Sequence, residues 1–173
     1  MGDVVARSTE PTLAAIKLAW WRERLEELDE GGVPAEPRLQ AAAAELLPRG
    51  ISGALLGQLE DGWLALLEED ADAERALSRG TKLFAIAARL VGGEPPDLLA
   101  PAGWLYACGS LQRLGLAPDG AWAVTPSRRV PRAFRCVTAL AALANRDLRR
   151  REPEATPGRA WALLRHRLTG RFP

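Results

Sequence analysis

The sequence predicts an all-α fold, a single-domain antiparallel bundle of about seven helices. Three observations carry that prediction. The apolar share of 47% is dominated by Ala and Leu with few β-branched residues, a composition that favours helix over strand. Apolar residues recur every three or four positions in successive segments. Gly and Pro breaks separate those segments, and no stretch alternates strictly between apolar and polar with hairpin turns at its ends. At 173 residues the chain has the size of one ordinary domain, able to bury roughly two thirds of its unfolded surface.

The first helix is the clearest. Ala14, Leu18, Trp21, Leu25 and Leu28 fall on one face, and Leu13, Ile16 and Trp20 widen it, which predicts packing on more than one side. Thr9 or Ser8 can cap its start, Pro11 suits the first turn, and Gly31-Gly32 with Pro34 stops it. Glu36-Pro37 opens a shorter second helix through Leu39, the Ala41–Ala44 block, Leu46 and Leu47, ended by Pro48-Arg49-Gly50. Ser52 caps a third, with Leu55, Leu56, Leu59, Trp63, Leu66 and Leu67 on its apolar side. Gly53, Gly57 and Gly62 interrupt it, so either a partner backbone approaches closely there or the helix bends. Glu60-Asp61 reads as its polar face, and Glu68 to Asp72 as a solvated helix end followed by a helix start.

A fourth helix, from about residue 73 to 91, turns apolar nearly all round from Leu83 and predicts a central, fully packed element; Gly92-Gly93 and Pro95-Pro96 end it. Asp97 is placed to cap a fifth helix running to about Leu116, with Leu98, Leu99, Trp104, Leu105, Tyr106, Leu111 and Leu114. Residues 117–130 read as the longest loop, with a turn at Asp119-Gly120. Pro131 begins a long sixth helix striped by Phe134, Val137, Ala141, Ala144 and Leu148. After a loop at 152–158, a short seventh helix runs from Arg159 to Leu168 and stops at Gly170.

Net charge is +1, but the charges are segregated. Residues 1–120 hold 11 basic and 19 acidic side chains, a net of −8; residues 121–173 hold 12 arginines and 3 acids, a net of +9. Such asymmetry marks either a surface for an anionic partner or two segments that pack on one another. Cys108 and Cys136 both sit in apolar helical patterns and read as buried reduced thiols. No apolar run is long enough to cross a membrane and no signal-peptide core is present, so a cytoplasmic location is expected. No internal repeat is found.

The segment Glu10-Pro11-x-Leu13-x-x-Ile16-Lys17-Leu18-x-Trp20-Trp21-Arg22-x-x-Leu25 resembles the one that opens many members of the squalene/phytoene synthase family, above all divergent bacterial ones. The resemblance continues through residues 80–90 (Gly80-Thr81-Lys82-Leu83-Phe84 onward) and Arg165-His166-Arg167-Leu168-Thr169-Gly170-Arg171, together covering most of the chain. It implies an isoprenoid-synthase-like bundle. Those enzymes join two prenyl diphosphates head to head in a helix-walled cavity, and paired aspartates on facing helices hold the magnesium that binds the diphosphates. This chain departs from the pattern. The acids before Pro11 are Asp3 and Glu10, which form no pair, and residues 106–113 contain no acid. The resemblance therefore implies an N-terminally shortened member without catalytic residues, metal site or cofactor. It implies a binding or assembly factor that holds a prenyl chain or lipid; the alternative is a prenyltransferase with atypical ligands, which alone would need magnesium.

Two residue groups are candidates for that role. Trp20, Trp21, Phe84, Trp104 and Tyr106, with Trp63, form either a large aromatic core or the wall of an apolar cavity for a prenyl chain. Arg128, Arg129, Arg132 and Arg135 crowd one helix start, where they oppose the helix dipole; Arg146, Arg149, Arg150 and Arg151 at its end suit that dipole. The first group is either paired within the fold or a surface for an acidic protein, a phospholipid head group or a diphosphate. The Arg-rich C-terminal third thus points to a protein partner or a membrane surface, with peripheral membrane association as the corresponding location. Nucleic acid is not expected, since no binding motif accompanies the charge. His166, the single histidine, and Ser110 match no nucleophile or zinc pattern, and no phosphate-binding Gly loop occurs.

Overall fold

In the computed structural model, which describes residues 1–116, 129–151 and 153–171, all regular structure is helical. The chain divides into two compact units, residues 1–76 and 77–173. The expected turn at Asp119-Gly120 and the candidate Arg128 lie outside the described residues.

The first unit begins with α1 (Gly2–Arg7), whose single apolar turn around buried Val5 is too short to announce itself as a period. α2 (Pro11–Glu26) follows, with Pro11 in its first turn, and continues as a 3-10 turn, Glu27–Glu30, that stops where Gly31 takes φ +86°. Its N-cap is Glu10 rather than Thr9 or Ser8; the Ser8 hydroxyl donates instead to the Glu10 carbonyl at 3.0 Å. Ala14, Leu18 and Leu28 are buried as their spacing predicts. The widened face is not: Leu13, Ile16 and Trp20 stand 44%, 61% and 43% exposed. Side chains at i, i+3 and i+7 point the same way, and here they point to the surface.

α3 (Pro37–Glu45) is capped by Glu36, whose carboxylate accepts from the backbone N–H of Arg38 and Leu39 at 2.7 and 3.0 Å. The expected third helix breaks into α4 (Gly53–Gly57) and α5 (Asp61–Leu64). Ser52 caps α4, and the Asp29 carboxylate accepts from the N–H of Gly53 and Ala54 at 2.6 and 2.8 Å. Gly53 lies under the carbonyl of Leu25, where a Cβ would fall 1.7 Å from oxygen. Close backbone approach and a break therefore both occur. Leu28, Leu39 and Ala42 form the centre of an apolar cluster that includes Trp21, Leu25 and Leu56. Glu60, expected on a polar face, is buried and faces Arg22 of α2 at 3.6 Å, whereas Asp61 pairs with Arg75 at 2.8 Å.

Residues 73–76 close the first unit and begin α6 (Ala73–Val91), most of which belongs to the second. Asp72 caps its start by accepting from the Arg75 N–H at 3.0 Å. α6 buries Phe84, Ile86 and Ala88, which lie on more than one face, but Leu90 is 40% exposed, so the helix is not covered all round. α7 (Leu99–Leu114) has Leu98, not Asp97, as its N-cap. It meets α6 at Gly80 and Gly103, whose backbones touch. α8 (Arg135–Arg150), entered through Pro131 and a 3-10 turn at Arg132–Phe134, packs along α7, and α9 (Pro157–Thr169) packs along α8. Phe84, Leu98, Leu99, Leu105, Val130, Phe134 and the small residues Ala88, Ala102, Ala141 and Ala144 make the core of this unit. Small residues let the helix axes close up, as at Gly109, where a Cβ would meet that of Ala144 at 2.6 Å.

Candidate functional site: a cationic groove between α8 and α9

The crowd of arginines at the start of α8 has a local explanation in α9. The last carbonyls of a helix lack intrahelical partners and carry the negative end of its dipole. Arg135 Nη1 donates to the carbonyls of Arg167 and Leu168, both at 2.9 Å, and its Nε to that of Val130 at 3.2 Å. Arg129 Nε donates to the Thr169 carbonyl. Val130 N–H then donates to the Gly170 carbonyl at 2.8 Å. Gly170 sits at φ +69°, and a Cβ there would lie 2.5 Å from the Val130 oxygen, so only glycine fits. Two arginines at the positive end of α8 are thus held by the negative end of its neighbour.

The seam is pinned again by His166, which is fully buried. Its Nδ1 lies 3.0 Å from the Arg171 carbonyl, which can only accept, so Nδ1 carries the proton. Nε2 lies 2.9 Å from Thr138 Oγ1, whose single hydroxyl proton also has the Phe134 carbonyl at 3.0 Å as an acceptor. Burial first, and the charge of Arg135 as well, hold His166 below its usual 6.5, against the pull of the Arg171 carbonyl. The sign follows. The unfolded chain takes up this proton near 6.5 and the folded chain only at lower pH. Stability is complete above that value and is lost as pH falls through the lower folded one. Thermal unfolding between about pH 5 and 7.5 is expected to show this fall, and His166→Gln, though less stable overall, to flatten it. Ser110 is not its partner: Ser110 Oγ accepts from Arg79 Nη2 at 3.1 Å. The Arg79 guanidinium is pushed down to about 10 by burial.

Beside this seam a groove of about 710 Å³ opens between α8 and α9, lined by Arg132, Arg135, Cys136, Ala139, Leu163, Leu164, Arg167 and Leu168. Leu164 and Leu168 are 45% and 66% exposed. Arg132 and Arg167 make no ion pair among the described residues, and no carboxylate lines the groove. Residues 129–146 and 155–171 contain no acid at all; Asp147, the next one, is buried between Arg113 and Arg159. Cys136 is exposed on the groove floor, whereas Cys108 is buried as expected and its thiol is pushed up by burial.

The structure sorts the candidate residues accordingly. Arg132 and Arg135 line the groove. Arg129 lines a separate cleft of about 330 Å³ with Glu94, Asp97 and Pro131, where the charge is mixed. The aromatic candidates fall into both units. Trp20 and Trp21 touch edge to face at 5.1 Å in the first; Trp20 is at the surface, and Trp21 lines a small apolar pocket of about 210 Å³ with Leu25, Leu39 and Leu56. In the second, Phe84 and Tyr106 lie 5.6 Å apart, Phe84 fully inside the core, and Trp104 is half-buried on α7. Sequence reasoning missed Arg167, Leu164 and Leu168. The available signal was that α9 carries leucines on the face opposite Ala162 and His166.

Comparison of the chain with family models, with characterised proteins and with solved structures finds no match. No helix of the described residues is long and apolar enough to cross a membrane.

Proposed function

We propose that this chain is a non-catalytic binding protein, related to the squalene/phytoene synthases, that takes a prenyl or lipid chain with an anionic end in the α8–α9 groove. The observation that carries the reading is the groove itself: two arginines with no ion pair among the described residues, a third held by α9 carbonyls, exposed leucines and no carboxylate in the lining. Its volume falls in the range of roughly 300–1,000 Å³ usual for ligand sites, whereas the pocket at Trp21 falls below it. Guanidinium groups recognise phosphate through paired, charge-assisted hydrogen bonds, and leucines beside them accept the hydrocarbon. Coupling chemistry would call for a cluster of carboxylates around magnesium, and no three His, Cys, Asp or Glu side chains converge among the described residues. An assembly role follows if the captured chain or a lipid is delivered to a partner.

Calorimetry with farnesyl monophosphate in the presence of EDTA tests the reading. Binding of one equivalent is expected without divalent ions. Each lost charge-assisted bond is worth about 1.5–3 kcal/mol, so Arg132→Glu with Arg167→Glu is expected to weaken affinity at least about tenfold. Absence of binding would remove the proposal, and magnesium-dependent release of diphosphate from farnesyl diphosphate would replace it with the prenyltransferase reading.

A further inference from the structure

We propose that the outward face of α9, with the adjoining start of α8, docks flat on a bilayer that carries anionic lipid. Trp161, Leu164 and Leu168 recur at i, i+3 and i+7 and are 62%, 45% and 66% exposed. On the opposite side of the same 13-residue helix, Ala162 and His166 are buried at 1% and 0%. A helix that packs its inner face in this way ordinarily turns polar side chains outward. α9 instead shows a second apolar stripe, exposed among the described residues of its unit.

The charges select the occupant. Arg165 and Arg167, both exposed, flank the stripe on either side, and Arg132 stands at the start of α8. Their stems can lie along apolar surface while the guanidinium groups reach outward. With no acid at 129–146 or 155–171, two copies of this face would meet with like charges opposed, which disfavours a symmetric dimer. A bilayer surface with anionic lipid offers phosphate at the depth of the arginines and hydrocarbon at the depth of the leucines. Trp161, in the second turn of α9, is the residue type that settles at that boundary. The inference rests on the groove reading for the sign of the charge, and it shares Leu164, Arg167 and Leu168 with it. It adds a surface, Trp161 and Arg165, that a single bound chain would not require.

Co-sedimentation of the full chain with vesicles rich in phosphatidylglycerol, against vesicles of phosphatidylcholine alone, tests it. Binding to the first at low salt, its loss at high salt and no binding to the second are expected. Leu164→Glu with Leu168→Glu is expected to lower binding at least about tenfold while the circular dichroism spectrum stays unchanged, because both side chains are exposed. Brominated lipid is expected to quench tryptophan emission in the parent protein and much less in Trp161→Phe. No binding to anionic vesicles, undiminished binding by the double variant, or a dimer in light scattering that the same variant dissolves would each overturn the docking. Retained binding of farnesyl monophosphate in those cases would leave the groove reading standing and remove only this one.

Discussion

Asp147→Ala is expected to cost about 3–5 kcal/mol of stability, the range for removing one partner of a buried ion pair. The Asp147 side chain is 6% exposed and accepts from two helices at once. Arg113 of α7 donates through Nε at 2.9 Å and lies 2.8 Å away through Nη2, and Arg159 of α9 donates through Nη1 to both oxygens at 3.0 and 2.9 Å. α7, α8 and α9 are therefore joined through one carboxylate. Its removal leaves the Arg113 and Arg159 guanidinium groups, with side chains 27% and 16% exposed, facing each other, although Arg113 keeps Glu154 at 3.4 Å. Urea unfolding followed by circular dichroism measures the loss. Replacing the three together, Arg113→Met, Asp147→Leu and Arg159→Met, is expected to restore most of it, because a well-packed apolar substitute removes the desolvation cost as well as the attraction. A loss under about 1 kcal/mol for Asp147→Ala would show that the carboxylate is not the joint.

Gly80→Ala gives a test in which two effects have opposite signs. In an isolated helix the change stabilises by up to about 1 kcal/mol. Here the new Cβ would lie 1.9 Å from the Gly103 oxygen and 2.8 Å from the Ala107 Cβ, and the nearest obstacle is backbone, which cannot rotate away. The crossing of α6 and α7 must open, and overpacking of this kind costs about 1–3 kcal/mol. Gly80→Val, with two more methyl groups, is expected to exceed that and to unfold at markedly lower urea. Gly103→Ala meets the Gly80 oxygen at 2.4 Å and should behave like Gly80→Ala. A rise in the unfolding midpoint for either alanine would place the helices apart.

The helices were legible because their cause is local. Spacing of apolar residues, Pro at first turns and Gly at ends locate α2, α3, α6, α7, α8 and α9 to within a few residues. Ser52, Gly31 and Gly170 act as their types predict. Errors arose where a local pattern has two outcomes. Leu13, Ile16 and Trp20 have a packing face by period but are exposed by position. Glu60 looked like a polar surface and is buried against Arg22. Cys136 shares the apolar pattern of Cys108 and lies open in the groove. Asp147 belongs to no motif or apolar period, and its one local sign is that it is a lone acid among Arg146, Arg149 and Arg150.

The candidate site divides the same way. Composition and spacing settle the helical class, the segregation of positive charge into the last third, and the presence of arginines where a helix dipole repels them. Only the packing of α8 against α9 shows which of those arginines are satisfied within the fold and which line the groove. Arg129 and Arg135 satisfy the terminal carbonyls of α9, some 30 to 40 residues away in the chain, while Arg132 and Arg167 converge on the groove. Periodicity and composition act over one or two turns of helix. Pairing of a guanidinium with a distant carbonyl, or exposure of a leucine, depends on where two helices meet.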